Sequence, residues 1–413
     1  MEKNSQEKPF TLTSGIAPLR DNRFRYLWAS SAFFFSGYWA QTVVLGWLAF
    51  ELTNSEFAVA SFTAARFSPM LVGPIGGILA DRIDRLKTLR TSVIITLVIG
   101  LVIAGMATFG HLNYWLVVLV GFIGGLTQAP LMPVRFTLMM DIVGKQHLSS
   151  ANALNMAAMF GSRIIAPAGA GWIISSWGPD WALWYSAAWF LPAWLLLLFP
   201  ITGITRMTNS VNGRLLSDLI EGFSIAIHNR AIGAVLLATI AANVLAFPIL
   251  QAFLPVFAEE ILNVGASGLG LLVSMNGLGA LIGCLLISTM GDFSGKGKLY
   301  LSGTISFGLL LAIFGYVDQM SLAIIIIFMA GMASSGFGVM QSTLMLLLSP
   351  EEARGRVMGV LMLSIGTQPV ALLIQGVLAN TFGVSFTTIA CGILLSISVL
   401  LIAWRSPELR KEI

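Results

Sequence analysis

The sequence predicts an all-α membrane protein with twelve transmembrane helices. Three observations predict it. Hydrophobic residues make up 56% of the 413 residues and charged residues only 10%, where soluble domains carry about 25% charged residues. The apolar residues gather into about twelve runs, each near the roughly 20 residues that cross a bilayer as helix. Lys and Arg crowd into alternate connections between those runs. The 42 glycines fit the same class, because small residues let membrane helices approach closely.

The runs fall at about 26–50, 57–80, 89–109, 114–141, 150–176, 181–203, 232–260, 266–290, 299–317, 321–347, 355–381 and 384–404. Several exceed the minimum length, which implies tilt or ends that reach beyond the hydrocarbon. Residues 1–22 are polar and lack the apolar core and small-residue cleavage site of a secretory signal, so they are expected to form a tail. Of the 23 Lys and Arg, all but Arg66, Arg135 and Arg163 lie in the two termini, in the loops after spans 2, 4, 8 and 10, or between spans 6 and 7. Basic residues stay on the inner side. Both termini are therefore expected to be cytoplasmic, in the inner membrane. The net charge of +4 follows from this asymmetry and gives no ground for nucleic-acid binding. Cys284 and Cys391 sit inside apolar runs and outline no disulfide framework.

The chain also reads as two halves. Residues 77–87, Gly-Ile-Leu-Ala-Asp-Arg-Ile-Asp-Arg-Leu-Lys, put five charges into a tight loop after span 2. A degenerate echo, Ser-Thr-Met-Gly-Asp-Phe-Ser-Gly-Lys-Gly-Lys at 288–298, follows span 8. Asp292 stands 211 residues after Asp81, and Glu-Leu-Thr-Asn at 51–54 pairs with Glu-Ile-Leu-Asn at 260–263, an offset of 209. A repeat in one orientation implies two six-helix halves related by an axis along the membrane normal. The halves are 23–203 and 232–404, joined by a linker at 204–231, with a tail at 405–413. In the linker Leu215, Leu219, Phe223 and Ile227 recur every four residues, with Arg214, Asp218 and Glu221 off that stripe. That pattern reads as an amphipathic helix on the inner membrane surface; a flexible connector is the other reading.

The loop at 77–87 resembles the first-loop signature of the major facilitator superfamily, G-x-L-x-D-R-x-G-R-R/K. Asp84 stands where the signature has glycine, and Leu86 interrupts the basic pair. Further segments narrow the resemblance: Trp-Leu-Ala-Phe-Glu-Leu-Thr-Asn-Ser at 47–55, Ala-Arg-Phe-Ser-Pro-Met at 65–70, Pro-Val-Arg at 133–135, Ser-Ala-Asn-Ala-Leu-Asn at 150–155, and Arg-Gly-Arg-Val-Met-Gly at 354–359, with Gln-Pro at 368–369. Together they resemble the branch that includes enterobactin exporters and macrolide efflux pumps, of the drug:proton antiporter type. The resemblance implies the major facilitator fold, in which spans 1 and 7 line a central cavity. It also implies a gate. Asp81, with Arg82 beside it, would dock on the start of span 11 near Arg354 and Arg356, and Arg85 would reach Asp141. Pro167, Gly169 and Gly171 resemble the glycine-proline signature of antiporter branches.

Charge inside the membrane carries its own information. Arg66 lies 15 residues before Asp81, about 22 Å along a helix. Arg163 lies 18 residues after Lys145 and is also deep. A charge at that depth is costly and points to function. Two readings stand: a ligand for an anionic group, since arginine suits carboxylate and phosphate, or a structural arginine holding carbonyls. Arg135 and Asp141 are six residues apart, a net rotation of about 240° on a helix. They face different ways, so each is expected to find its partner on another helix. The 19 Asp and Glu all lie at span ends, in loops or in the tails. The candidates for carrying a proton reduce to Asp81, Asp141, Glu51, Glu259 and Glu260, and Asp141 is favoured. Polar side chains for a substrate pocket are Tyr38, Gln41, Gln128, Asn155, Asn243 and Gln251, with Arg66 and Arg163. A pocket sets a few such groups on an apolar, aromatic wall, which Phe33, Phe34, Phe35 and Phe253 could supply. Trp177, Trp181 and Trp184 read as an interfacial belt.

No phosphate-cradling Gly-x-x-x-x-Gly-Lys-Ser/Thr loop occurs, and no nucleophile–base or metal-ligand cluster. The chain is therefore expected to be no enzyme and to need no cofactor or metal. The expected function is secondary active export of an amphipathic or anionic small molecule, of drug or siderophore type, by alternating access in exchange for protons. The expected partners are that solute, protons and the lipid bilayer, with the chain acting as a monomer. An uncoupled or uptake carrier for an anionic or lipid-like solute and a non-transporting membrane sensor are the alternatives.

Overall fold

The computed structural model describes residues 17–72, 84–129, 131–201, 215–290, 293–350 and 353–410. These are helical nearly throughout, with no strand among them. In chain order the main helices are α1 (Asn22–Glu51), α2 (Glu56–Phe67), α3 (Arg85–Thr108), α4 (Tyr114–Gln128) and α5 (Leu131–Trp177). After α6 (Pro179–Leu198) and the short α7 (Leu215–His228) come α8 (Arg230–Ile261), α9 (Gly265–Thr289) and α10 (Lys296–Phe314). The last three are α11 (Met320–Leu348), α12 (Arg354–Phe382) and α13 (Val384–Arg405).

Ten helices among the described residues are long and apolar enough to cross a membrane, and α4 is a shorter apolar helix. The run expected at 57–80 is described as α2 and a tighter turn at Ser68–Val72. The run expected at 114–141 divides into α4 and the first part of α5. Gly144, at φ 69 and ψ 175, breaks α5; only glycine takes such a backbone without strain. The helix then resumes as Ser150–Trp177. In α8 two π-helical turns, Ile249–Phe253 and Phe257–Ile261, accompany Pro248 and Pro255. Proline removes a backbone donor, and wider turns are one way a helix absorbs that loss.

The helix starts follow their sequence signals. Ser55, Asn113 and Asn229 each accept a backbone N–H in the first turn of α2, α4 and α8. Such caps are worth about 1 kcal/mol each. Asp84, which stands where the signature has glycine, caps α3 by accepting from the Leu86 and Lys87 N–H groups at 2.9 and 3.2 Å. Asp21 caps α1 and also takes the Arg23 guanidinium at 2.7 Å. That contact holds its carboxyl below the usual range.

α1 is the most enclosed of the spanning helices, with 78% of its most apolar stretch buried. It packs on α5, α6, α2 and α4, and on α8 and α9 from the later part of the chain. Helices from the earlier and later parts also meet as α5 on α9 and α2 on the second half of α12. These meetings fall on the face away from the termini. A Cβ at Gly171 would run into the Ala266 carbonyl, so bare glycine lets α5 and α9 touch there. The Ser267 N–H donates to Ser175 Oγ at 3.0 Å, and Ser55 Oγ donates to Asn380 Oδ1 at 3.3 Å. On the face carrying the termini, the first half of α12 packs on α7, α8 and α11 instead.

Candidate functional site

The residues that could meet a solute are set along α1. Ser31, Phe34, Tyr38 and Gln41 recur at intervals of three and four and therefore share one helical face. Trp39 lies beside that face. Each of the three arginines found inside apolar runs stacks on one of these aromatic rings.

Arg66, from α2, is 2% exposed. Its guanidinium carbon lies 4.4 Å from the Tyr38 ring centre. It donates long hydrogen bonds to Gln41 Oε1 (3.5 Å) and to the Tyr38 carbonyl (3.4 Å), and its Nε has no partner. α4 must come very close for this arrangement. A Cβ at Gly125 would collide with the Arg66 carbonyl. Arg163, from α5, lies 4.5 Å over the Trp39 ring. Its Nε and the Trp39 Nε1 are buried without partners. Its stem packs against Gly277 of α9, where a Cβ would meet Arg163 Cγ at 3.0 Å. Arg163 thus sits where the earlier and later parts of the chain meet.

Arg135 escaped the sequence reading as a binding residue, although the same signal marks it: a basic side chain inside an apolar run. It is 3% exposed and stacks 5.1 Å over Phe34. It donates to Ser31 Oγ of α1, while Nε and its other terminal nitrogen have no partner. None of these three arginines forms an ion pair among the described residues. Burying an unpaired charge is expensive. Ring faces offset part of the cost, at about 0.5–2 kcal/mol for each cation–π contact.

The charged pair nearer the termini is different. Arg85 donates to Asp141 Oδ2 at 2.8 Å, with the two side chains 16% and 12% exposed. Arg135 and Asp141 therefore turn to different helices, as their spacing on α5 requires. Asp81 and Arg82 lie outside the described residues. Arg354 donates to the Leu346 carbonyl at 3.3 Å. Arg356 pairs with Glu221 of α7, a contact not anticipated from sequence. On α7, Gly222 and Ala226 face the protein, while Phe223 and Ile227 of the apolar stripe are 48% and 76% exposed. Trp177 and Trp181, each 61% exposed, also face outward.

The remaining polar candidates divide. Gln41 joins Tyr38 and Arg66, and Asn155 shares a small cavity with Arg135. Gln128 is half-buried and makes no hydrogen bond among the described residues. Asn243 and Gln251 stand apart from the arginines. Asn243 donates to the Thr239 carbonyl at 3.0 Å, beside a network in which Gln341 donates to Thr239 Oγ1 (2.9 Å) and Tyr300 to the Val235 carbonyl (2.9 Å). Gln251 accepts from Gln368 at 2.6 Å.

The helices are those of a polytopic membrane protein, and a family profile places the chain in the major facilitator superfamily. The solved structures agree on the fold. A POT family transporter in complex with 5-aminolevulinic acid superposes with a TM-score of 0.76 at 13% identity, over 94% of this chain and 96% of that one. Within that superfamily, the chain belongs to the transmembrane secretion effector family, whose profile matches residues 13–412. Macrolide efflux protein A of Streptococcus pyogenes is 23% identical over 367 residues, covering 87% of this chain and 90% of that protein. The enterobactin exporter EntS of Shigella flexneri is 25% identical over 316 residues, covering 75% and 73%. The chain is a transporter and not an enzyme.

Proposed function

We propose that this chain exports an amphipathic or anionic small molecule by alternating access, in exchange for protons. Twelve helices form two six-helix halves, 23–203 and 232–404, with the linker at 204–231 and both termini cytoplasmic. The observation that carries the reading is the set of three buried guanidinium groups stacked on α1 with no carboxylate partner among the described residues. A solute carrying a carboxylate, phosphate or polarised oxygen would supply the missing acceptor, and the rings would take its apolar body.

In this scheme the described conformation corresponds to the inward-open state. Gly171, Ser175 and Ser55 join the earlier and later parts of the chain on the far face, while the first half of α12 packs mainly on α7, α8 and α11. The opposite state brings the charged loop at 81–87 to the start of α12, as the resemblance implies. Asp141 is the proton carrier of this scheme. Protonation would end its pairing with Arg85 and loosen the contact between α3 and α5 near the termini.

The test uses purified protein in proteoliposomes with an imposed pH gradient and a panel of siderophores, macrolides, lipophilic cations and lysophospholipids. Solute-dependent proton flux that Asp141→Asn abolishes is the expected result. Solute movement without proton flux would remove the coupling from the account and leave an uncoupled carrier. Absence of movement for every panel member would overturn export of this solute class.

A further inference from the structure

We infer that Arg135 forms a second anion subsite, nearer the termini than Arg66, which receives the carboxylate of the solute before it reaches Arg66. The inference rests on the export reading and adds a site and a requirement on the cargo.

A cavity of about 10 Å³ opens against Arg135, lined by Phe24, Leu27, Trp28, Ser31, Met139 and Asn155. It holds about one water-sized group. Its polar side chains include the Arg135 guanidinium, the Asn155 amide and Ser31 Oγ. Two guanidinium nitrogens of Arg135 are buried without partners. The Asn155 amide makes no hydrogen bond among the described residues. Ser31 already gives its own proton to the Leu27 carbonyl at 2.9 Å while accepting from Arg135, and the Trp28 indole N–H is spent on the Leu154 carbonyl at 2.8 Å. A water-sized space beside two free guanidinium nitrogens suits one oxygen of a carboxylate, with the rest of the molecule outside. A neutral acceptor would take its hydrogen bonds but leave its charge uncompensated, and a cationic group would be repelled.

The subsite is aligned with the deeper one. Ser31 and Phe34 at Arg135, and Tyr38 and Gln41 at Arg66, lie on the same face of α1. The ten residues from Ser31 to Gln41 span about 15 Å of helix. Phe34 at Arg135 and Tyr38 at Arg66 lie about one turn apart, so the two guanidinium groups stack on successive turns of one face. Arg135 is a binding residue here, and the two sites differ in depth.

The probe is radiolabelled benzoate, bound to the full-length protein in lipid nanodiscs, with benzyl alcohol as the neutral isostere and sodium chloride as the inorganic competitor. The expected result is saturable binding that unlabelled benzoate displaces and benzyl alcohol does not. The Arg135 component should weaken at least tenfold in Arg135→Gln, leaving the Arg66 component, and recover in part in Arg135→Lys, with both variants eluting as folded monodisperse protein. Arg66→Gln should lower the number of sites and leave the Arg135 component. Binding lost in Arg66→Gln but untouched in Arg135→Gln would overturn the second subsite and leave the export reading standing. Displacement by chloride as readily as by benzoate would also overturn it, showing an inorganic-ion site only. So would the absence of saturable benzoate binding.

Discussion

The two halves of the chain treat buried polarity in opposite ways. In the second half, Thr239, Tyr300 and Gln341 bond to one another and to nearby carbonyls, Gln251 pairs with Gln368, and Gln375 donates to the Val244 carbonyl at 2.6 Å. In the first half, Arg66, Arg135, Arg163 and Trp39 carry buried donors with no partner among the described residues. Of nine buried side-chain polar atoms without a partner among the described residues, seven belong to the first half. A satisfied network holds helices together. An unsatisfied set of donors of one sign is a poor way to hold helices and a good way to await an anion. On the proposed reading, recognition falls to the first half and scaffolding to the second.

The comparison can be broken by exchanging the roles. Arg66→Met should reduce transport at least tenfold and leave thermal stability equal or higher, because replacing an unpaired buried charge with an apolar chain of similar volume removes a desolvation cost. Thr239→Val should do the reverse. It leaves Gln341 and Tyr300 short of a partner and should cost about 1–3 kcal/mol of stability, with transport per folded molecule near normal. Thermal unfolding and flux measured on the same preparations check both. A loss of stability in Arg66→Met would return that arginine to a structural role.

The contact between halves gives the next largest effect. Gly171→Val should push α5 from α9 on the far face, an overpacking cost of about 1–3 kcal/mol. That is enough to shift the balance between the two open states about fivefold or more. Spin labels at Ser175 and Ser267, now joined by a hydrogen bond, should report a longer distance. An unchanged distance would show that this seam does not set the conformational balance. Asp141→Asn should abolish the pH dependence of transport, read as flux against external pH. The smallest effect belongs to Glu221→Gln. Its pair with Arg356 is half exposed, so the stability change should stay within about 1 kcal/mol, with less than a twofold change in flux.

Much of this organisation was legible in the residues. Apolar run length and the placement of Lys and Arg mark the spans, and depth alone marks Arg66 and Arg163 as unusual. Arg135 carried the same mark. It drew less attention because Asp141 on the same helix posed the question of a partner. Asn243 and Gln251 were not separable from Gln41 by sequence. Each is an amide inside an apolar run, and whether it bonds to a neighbour or faces a cavity depends on which helix lies across from it. The stacking of three arginines on α1 was illegible for the same reason: it joins residues 28 to 124 positions apart. The break at Gly144 and the cap at Asp84 show the local limit. Both residues are turn and cap formers in any context, yet only the helices on either side decide how they are used.

The most direct test of the central claim is flux of the panel solutes through proteoliposomes holding Arg66→Met beside Thr239→Val, each normalised to folded protein. The account predicts that flux is lost in Arg66→Met and kept in Thr239→Val. Flux kept in Arg66→Met, with its stability lowered, would contradict it.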